Sequence, residues 1–410
     1  MKILFLSQLI PYPIDAGPKV RSYRVLQYLA RAGHDLTLVA FRRDNDKLED
    51  MRHMSRYCSA VHTVLLRRSH FRDILSLIAS QLNDIPFLIR RDDVADMHLL
   101  LKDLLAQQSF DAVHADQLWM AQYALALKSY VGSQRKLQTV LDQHNAVFLI
   151  PKRLGADTHN PLKRLILNLE SKRLARYEAT VCGQFDHVVW VTQEDQTAVH
   201  QHITSNRSQL PQERVIPICV DPGDKPMIVR QERPCRVTFL GGLHWPPNAQ
   251  GVLWFAHHVF PFVRAAVPDA ILTVIGKNPP PGLAGEGIEV TGYVPDLQLL
   301  LGETGAFIVP LQAGGGMRVK ILDAWSWGLP VVSTTIGAEG LTALHAENML
   351  IADDVETFAQ ATIRLLTEPS LAEQLAQNGR QMVLENYDWR QTYTAWDNIY
   401  CRERIANHHA

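Results

Sequence analysis

AFIVPLQAGGGMRVKILDAWSWGLPVVSTTIGAEG, residues 306–340, is the stretch that decides the fold. The apolar run 306–311 has the length of a buried strand. Three consecutive glycines follow: Gly314, Gly315 and Gly316. A helical pattern covers 317–327, stopped by Gly328 with Pro330 just beyond, and 331–333 reads as the next strand. Strand, glycine loop, helix and strand make one βαβ unit with a right-handed crossover. The loop after the first strand of such a unit suits an anion, because the helix start offers free N–H groups and partial positive charge. Met317 opens the helix, and Arg318 and Lys320 add full charges in its first turn. Asp323, three residues after Lys320, shares nearly the same face. A phosphate on the loop and a hydroxyl pair on Asp323 together describe a nucleoside diphosphate. The competing reading is a tight connection with solvated cations; the rest of the chain weighs against it.

The length, 410 residues, fits two domains of about 200 residues each. Apolar content of 47% and charged content of 20% are those of a globular protein. Five scattered cysteines, without CxxC spacing, argue for a reducing compartment and against a zinc site or disulfide frame. The opening MKILFLSQLIPYPIDAG reads as a first strand rather than a signal peptide, and no apolar span has transmembrane length. Net charge is about +5 over residues 1–222 and about −6 over the remainder. Neither half has the concentrated basic patch that nucleic acid requires.

In chain order, 2–7 is a strand, 11–18 a Pro-rich loop, 19–32 a helix and 36–41 a strand. This second strand–loop–helix unit makes Gly17 and Arg21 candidates for an anion or sugar contact; the alternative is a turn glycine and a solvated arginine. Residues 45–110 read as mostly helical. Within them 65–91 mixes Phe71, Ile74, Leu75, Leu77 and Ile78 with five arginines, a pattern that fits either an anionic membrane surface or packing on its own domain. Short strands at 110–114 and 137–141 end in His114 and Asp116, and in Asp142, Gln143, His144 and Asn145. Such positions, past the carboxyl ends of parallel strands, are where open sheets bind ligands. The charged stretch 161–180 is helical, 185–192 and 214–220 are strands, and the Pro- and charge-rich 222–234 reads as the linker.

The second domain opens with a strand at 236–240, then Gly241, Gly242 and Asn248 ahead of a helix over 249–267. Strands at 271–275 and 288–292 follow, the latter leading to Tyr293 and Val294. After the central unit come helices at 355–366 and 370–386, and a last helix from Trp389 to about residue 405, placed to cross back to the first domain. The expected organisation is a first domain over 1–222, a second over 223–388 and the terminal helix over 389–410.

With these landmarks placed, the chain resembles the GT-B-fold retaining glycosyltransferases of family four. The motifs are PYPIDAGPKVRSYRVLQYLARAGHDLTLV, RVIPICVD, FLGGLHWPPNAQGVLWF, VTGYVPDL and, most specific, GGGMRVKILDAWSWGLPVVSTTIGAEGL. The resemblance implies two Rossmann-like α/β domains facing a central cleft, the first binding acceptor and the second the nucleotide sugar. It departs from the family at two places. Of the usual two glutamates, the first position is Gly315 and the second Asp323, leaving backbone donors where the first acid meets the sugar. The Arg and Lys that many relatives carry early in the second domain are missing from GGLHWPPN, with Arg318 and Lys320 as replacements.

The implied reaction moves a sugar from a UDP- or GDP-linked donor to a glycan or lipid-linked hydroxyl, with retention, in bacterial surface polysaccharide synthesis. The glycine loop, Lys320 and Arg318 would stabilise the leaving diphosphate; His144, with Asn145 beside it, would meet the sugar, and Tyr293 and Val294 the base. No covalent nucleophile, cofactor or metal is implied, since protein cations neutralise the diphosphate. The expected place is the cytoplasm, with peripheral contact to the inner membrane face. The alternatives are a nucleotide-sugar 2-epimerase of the same fold and a non-catalytic nucleotide-sugar binder.

Overall fold

The computed structural model describes residues 1–69, 73, 76–80, 85–132, 136–158, 160–203, 211–231 and 234–401. The chain forms two compact units: Met1–Cys219 with the segment that starts at Trp389, and Val220–Asp388. Each is built on a wholly parallel sheet, so the inner strands are buried on both faces and read as nearly continuous apolar runs.

The first unit holds β1 (Lys2–Ser7), β2 (Asp35–Arg42), β3 (Ala60–Leu65), β4 (Ala112–Asp116), β5 (Gln138–Gln143), β6 (His187–Trp190) and β7 (Gln212–Val215) in the order β3-β2-β1-β4-β5-β6-β7. In β1, KILFLS, every residue but Lys2 is buried. The register sets Ser7 beside Asp116 and Asp116 beside Asp142, so three polar residues line up at the carboxyl ends of β1, β4 and β5. The strand order reverses between β1 and β4, the kind of switch point at which open parallel sheets take ligands.

The last segment belongs to this unit. A short helix, Trp389–Thr392, runs into a 3-10 turn, Tyr393–Asn398. Trp389, Tyr393, Trp396, Ile399 and Tyr400 are buried in the same core cluster as Phe5, Val25, Leu26 and Leu29. Gln138 Nε2 fixes the end by donating to Ile399 O at 2.7 Å. The continuous helix expected from Trp389 does not form: after one short α-turn the chain tightens to a 3-10 turn carrying Tyr393 and Trp396, and residues 402–405 of that expectation lie outside the described residues.

The second unit holds β8 (Arg236–Leu240), β9 (Ile271–Ile275), β10 (Ile288–Gly292), β11 (Thr304–Val309), β12 (Val331–Ser333) and β13 (Leu350–Ile351) in the order β10-β9-β8-β11-β12-β13. Its switch point falls between β8 and β11. The expected helix over 249–267 is broken into Pro246–Trp254, a π turn at Phe255–Val259 and Phe260–Ala266. Its Val252, Phe255, Val259 and Val263 remain in the core.

Two further expectations are corrected. Residues 60–65 form strand β3 in a region read as helical; most of its side chains are only half-buried, so its apolar pattern is weak. The supposed linker is partly structured into the second unit, with Ile228 N donating to Trp327 O at 2.9 Å. Of the 65–91 stretch, residues 70–72, 74, 75 and 81–84 lie outside the described residues. Arg68 and Arg91 both turn to buried Asp92, at 3.0 and 3.6 Å. Among the described residues no helix is long and apolar enough to cross a membrane.

Candidate active site

The second unit gathers its candidates at the carboxyl ends of β8, β9 and β11. Gly241 N donates to Ile275 O at 3.0 Å and Leu243 N to Lys277 O at 3.2 Å, stitching the exits of β8 and β9 together. The approach is close: a Cβ on Gly276 would lie 2.0 Å from Gly241 O. After β11 the backbone passes Gly314 at φ 124° and Gly316 at φ 74°, left-handed values that favour glycine.

The helix that follows is Val319–Ser326, two residues shorter at its start than expected. Met317 is buried ahead of it, and Arg318 is its N-cap residue, not part of its first turn. Arg318 folds back on the glycine loop, Nη1 donating to Gly315 O at 2.5 Å. Lys320, the second helical residue, reaches the other way. Its ammonium donates to Asn248 Oδ1 at 2.9 Å and stands 4.5 Å from the Phe239 ring centroid. Asn248 is oriented by its own amide, which donates to Gly242 O at 2.8 Å. A Cβ on Gly241 would lie 2.7 Å from the lysine Nζ, so the missing side chain makes room for the ammonium.

Lys320, Asn248, Gly241 and Gly242 are thus one constellation, with Arg318 on the adjoining loop. Burial strips water from the Lys320 ammonium, and the nearby Arg318 charge repels it, bringing its pKa down to about 7. Among the described residues no carboxylate forms an ion pair with it. A desolvated cation held against an aromatic face and an amide is arranged to receive an anion from outside.

Asp323 does not join that constellation. Its carboxylate is paired with the Lys225 ammonium, which also lies 5.4 Å from the Trp327 ring centroid. Sequence reading missed Lys225, because a charged residue among prolines carries no periodic signal. Tyr293 is 66% exposed, and Lys277, also missed, sets its ammonium 4.6 Å from the ring centroid. Val294 beside it is half-buried.

In the first unit Arg21 corrects the sequence reading. It is fully buried, and its Nε and Nη2 donate to Asp142 at 2.6–2.8 Å. Nη1 donates to Ile216 O at 2.7 Å and Pro217 O at 3.0 Å. Those partners tie the helix Gly17–Arg31 to β5 and to the chain after β7, so Arg21 is a core strut and not an anion contact. Gly17 is the first residue of that helix, and its φ is not among the positive ones.

His144 is nearly buried, with Nε2 2.9 Å from Asp116 Oδ1 and 3.7 Å from Asp142 Oδ2. Burial works against its charge, but Asp116 and Asp142 outweigh it and raise the pKa to about 8. Its Nδ1 is buried, and among the described residues it has no hydrogen-bond partner. Asn145, next in the chain, is half-buried. His114 is different: it stacks on Phe5 at 4.1 Å, and its Nδ1 meets Tyr400 Oη at 2.6 Å. Burial lowers it to about 4, so it is a neutral core histidine.

His114, Asp116 and Asp142 lie close enough to suggest a metal. The Arg21 guanidinium already neutralises Asp142, and Asp116 accepts from Ser7 and Ser22 at 2.8 and 2.7 Å as well as facing His144. A cation there would face a buried arginine, so these residues do not fit one.

Residues 234–368 match the family described as Glycosyl transferases group 1. Over 96% of its length the chain is 25% identical to an uncharacterized 44.6 kDa protein in the cps region of Klebsiella pneumoniae, covering 98% of that protein. It is similar to the solved sucrose-phosphate synthase of Thermosynechococcus elongatus, with a TM-score of 0.72, 16% identity and 98% of both chains covered. Anabaena HepE, solved in complex with UDP and glucose, gives a TM-score of 0.66 at 14% identity, with 97% of this chain and 99% of that one covered. At such identities the structural likeness speaks for the fold, and the family match speaks for the second unit. Residues 234–368 thus match the group 1 glycosyl transferase family, and the whole chain shares the GT-B fold of these solved structures.

Proposed function

We propose that the chain is a retaining, metal-independent glycosyltransferase that takes a hexose from a UDP- or GDP-linked donor to a hydroxyl of a glycan or lipid-linked acceptor in surface polysaccharide synthesis. The observation that carries this reading is the Lys320 ammonium, lodged beside the glycine loop at a sheet switch point with no carboxylate paired to it among the described residues. Breaking the anomeric bond puts negative charge on the leaving diphosphate. Lys320, the backbone N–H groups of 314–316 and the start of the helix Val319–Ser326 are the donors assigned to it. Arg318 shapes the loop through Gly315 and adds its field. Asp323 is assigned to the ribose hydroxyls, where Lys225 is its present partner, and Tyr293 with Val294 to the base. His144 is assigned to hydroxyls of the transferred sugar, its Nδ1 being the available atom. The first unit is assigned the acceptor. The cps-region setting of the Klebsiella relative supports the polysaccharide context.

Thermal-shift measurement against nucleoside diphosphates and their sugars is the direct test. At a hundredfold excess over Kd, the correct nucleotide raises the second unit's Tm by about 5–10 °C. Donor turnover with acceptor persists in EDTA, because the neutralising charges belong to the protein. No shift with any nucleoside diphosphate would overturn the proposal. Interconversion of the donor sugar without acceptor would favour the epimerase, and binding without any turnover the non-catalytic reading.

Two glycines make contrasting predictions. Gly241→Ala meets the far end of a flexible side chain, so Lys320 moves and the fold stays: UDP affinity falls by roughly tenfold with stability changed by less than about 1 kcal/mol. Gly276→Ala meets a backbone carbonyl and destabilises the second unit by about 3 kcal/mol. Calorimetry and nucleotide titration of both variants separate the two effects.

A further inference from the structure

We propose that the outer face of the helix Pro161–Cys182 docks on an anionic membrane surface. Leu162, Leu165, Ile166 and Leu169 are 47–65% exposed. Their spacing of i, i+3, i+4 and i+7 makes one stripe along the helix. The opposite face is already committed to the core through Ser171, Leu174, Ala175 and Glu178. The helix is therefore apolar on two sides, one inward and one toward solvent. Isolated exposed leucines are ordinary, but a contiguous stripe marks an interaction surface.

The charges around the stripe indicate the occupant. Lys163 is exposed at the edge of its first turn, and exposed Lys172 and Arg176 continue the same face over the next two turns. Arg173 reaches Ser80 O at 3.5 Å, tying on the 76–80 segment, whose Leu77 and Ile78 are also exposed. The helix's two acids offset little of this. Glu178 lies buried beneath, and Glu170 accepts from Leu88 N at 3.1 Å. An apolar face rimmed by lysine and arginine suits the boundary between headgroups and acyl chains of an anionic leaflet. A second copy of the same chain would bring like charges together. The membrane contact expected over 65–91 is thereby placed on a different helix. It stands independently of the transferase reading, because vesicle binding is measured without donor or acceptor.

The test is co-sedimentation of the full chain with vesicles. The wild type pellets with phosphatidylglycerol-containing vesicles, far less with pure phosphatidylcholine, and binding falls as salt rises. Leu165→Ser, Ile166→Ser and Leu169→Ser combined lower the partition coefficient by about a hundredfold. Lys172→Glu with Arg176→Glu removes the preference for anionic lipid. Both variants keep the wild-type Tm and nucleotide-induced shift. The proposal is overturned if the wild type stays in the supernatant with both vesicles, or if the triple variant binds like the wild type. It is also overturned if sedimentation velocity finds a dimer that the triple variant dissociates.

Discussion

Lys320→Met lowers affinity for the donor nucleotide by about a hundredfold and turnover by about 10²–10³, without lowering the Tm of the free protein. Methionine keeps the stem on Phe239 and removes only the charge. In the free protein that charge is poorly accommodated, with water withheld, Arg318 nearby and the pKa down to about 7. The sign of the pH dependence follows. Between about 7 and the ordinary lysine value the unfolded chain holds a proton that the folded chain has released. This group therefore makes stability rise with pH across that window, and the variant loses the rise. Binding of a diphosphate favours the charged lysine. Nucleotide affinity then falls as pH climbs past about 7, and binding at pH 8 takes up a proton. Titration calorimetry in buffers of different ionisation enthalpy measures that uptake; equal affinity and no uptake difference in the variant would remove Lys320 from the site.

The second large effect is structural. Arg21→Ala destabilises the first unit by about 3–5 kcal/mol, because it strands the Asp142 carboxylate in the core. The corresponding fall in Tm is about 10 °C. Nucleotide affinity of the second unit is unchanged. Burial alone would raise Asp142, but Arg21 and His144 overcome it and hold the carboxyl well below the usual range. Its contribution is fully present above the ordinary carboxylate value and is lost as pH falls through and below it. Differential scanning calorimetry between about pH 5 and pH 2 follows this loss, which Arg21→Ala abolishes. A variant with unchanged Tm but weakened ligand binding would restore Arg21 to the ligand contacts.

The strands at 236–240, 271–275, 288–292 and 331–333 were legible to the residue, because short β-prone segments each flanked or ended by Gly or Pro leave little freedom. The helix start was misplaced by two residues because Gly316 takes a left-handed φ and Arg318 a non-helical ψ, which composition does not reveal. Strand β3 escaped because a half-buried outer strand alternates weakly. Lys320, Asn248 and the double glycine were each visible as single residues. Their assembly was not, since Lys320 and Asn248 meet across 72 residues. The same holds for Arg21 and Asp142, 121 residues apart. Looking outward from the sequence, a buried strut and a phosphate-binding arginine at a helix start are indistinguishable; only the carboxylate opposite tells them apart.

The aromatic residues from Trp389 to Tyr400 have a consequence for biosynthesis. They fill the core of the unit whose strands emerge first from the ribosome. That unit stays open on one side while the intervening unit, continuous in sequence, folds as it is made. The unit translated before its neighbour is the later of the two to be sealed, and the core residues Val25, Leu26 and Leu29 lack these partners until synthesis has passed Tyr400.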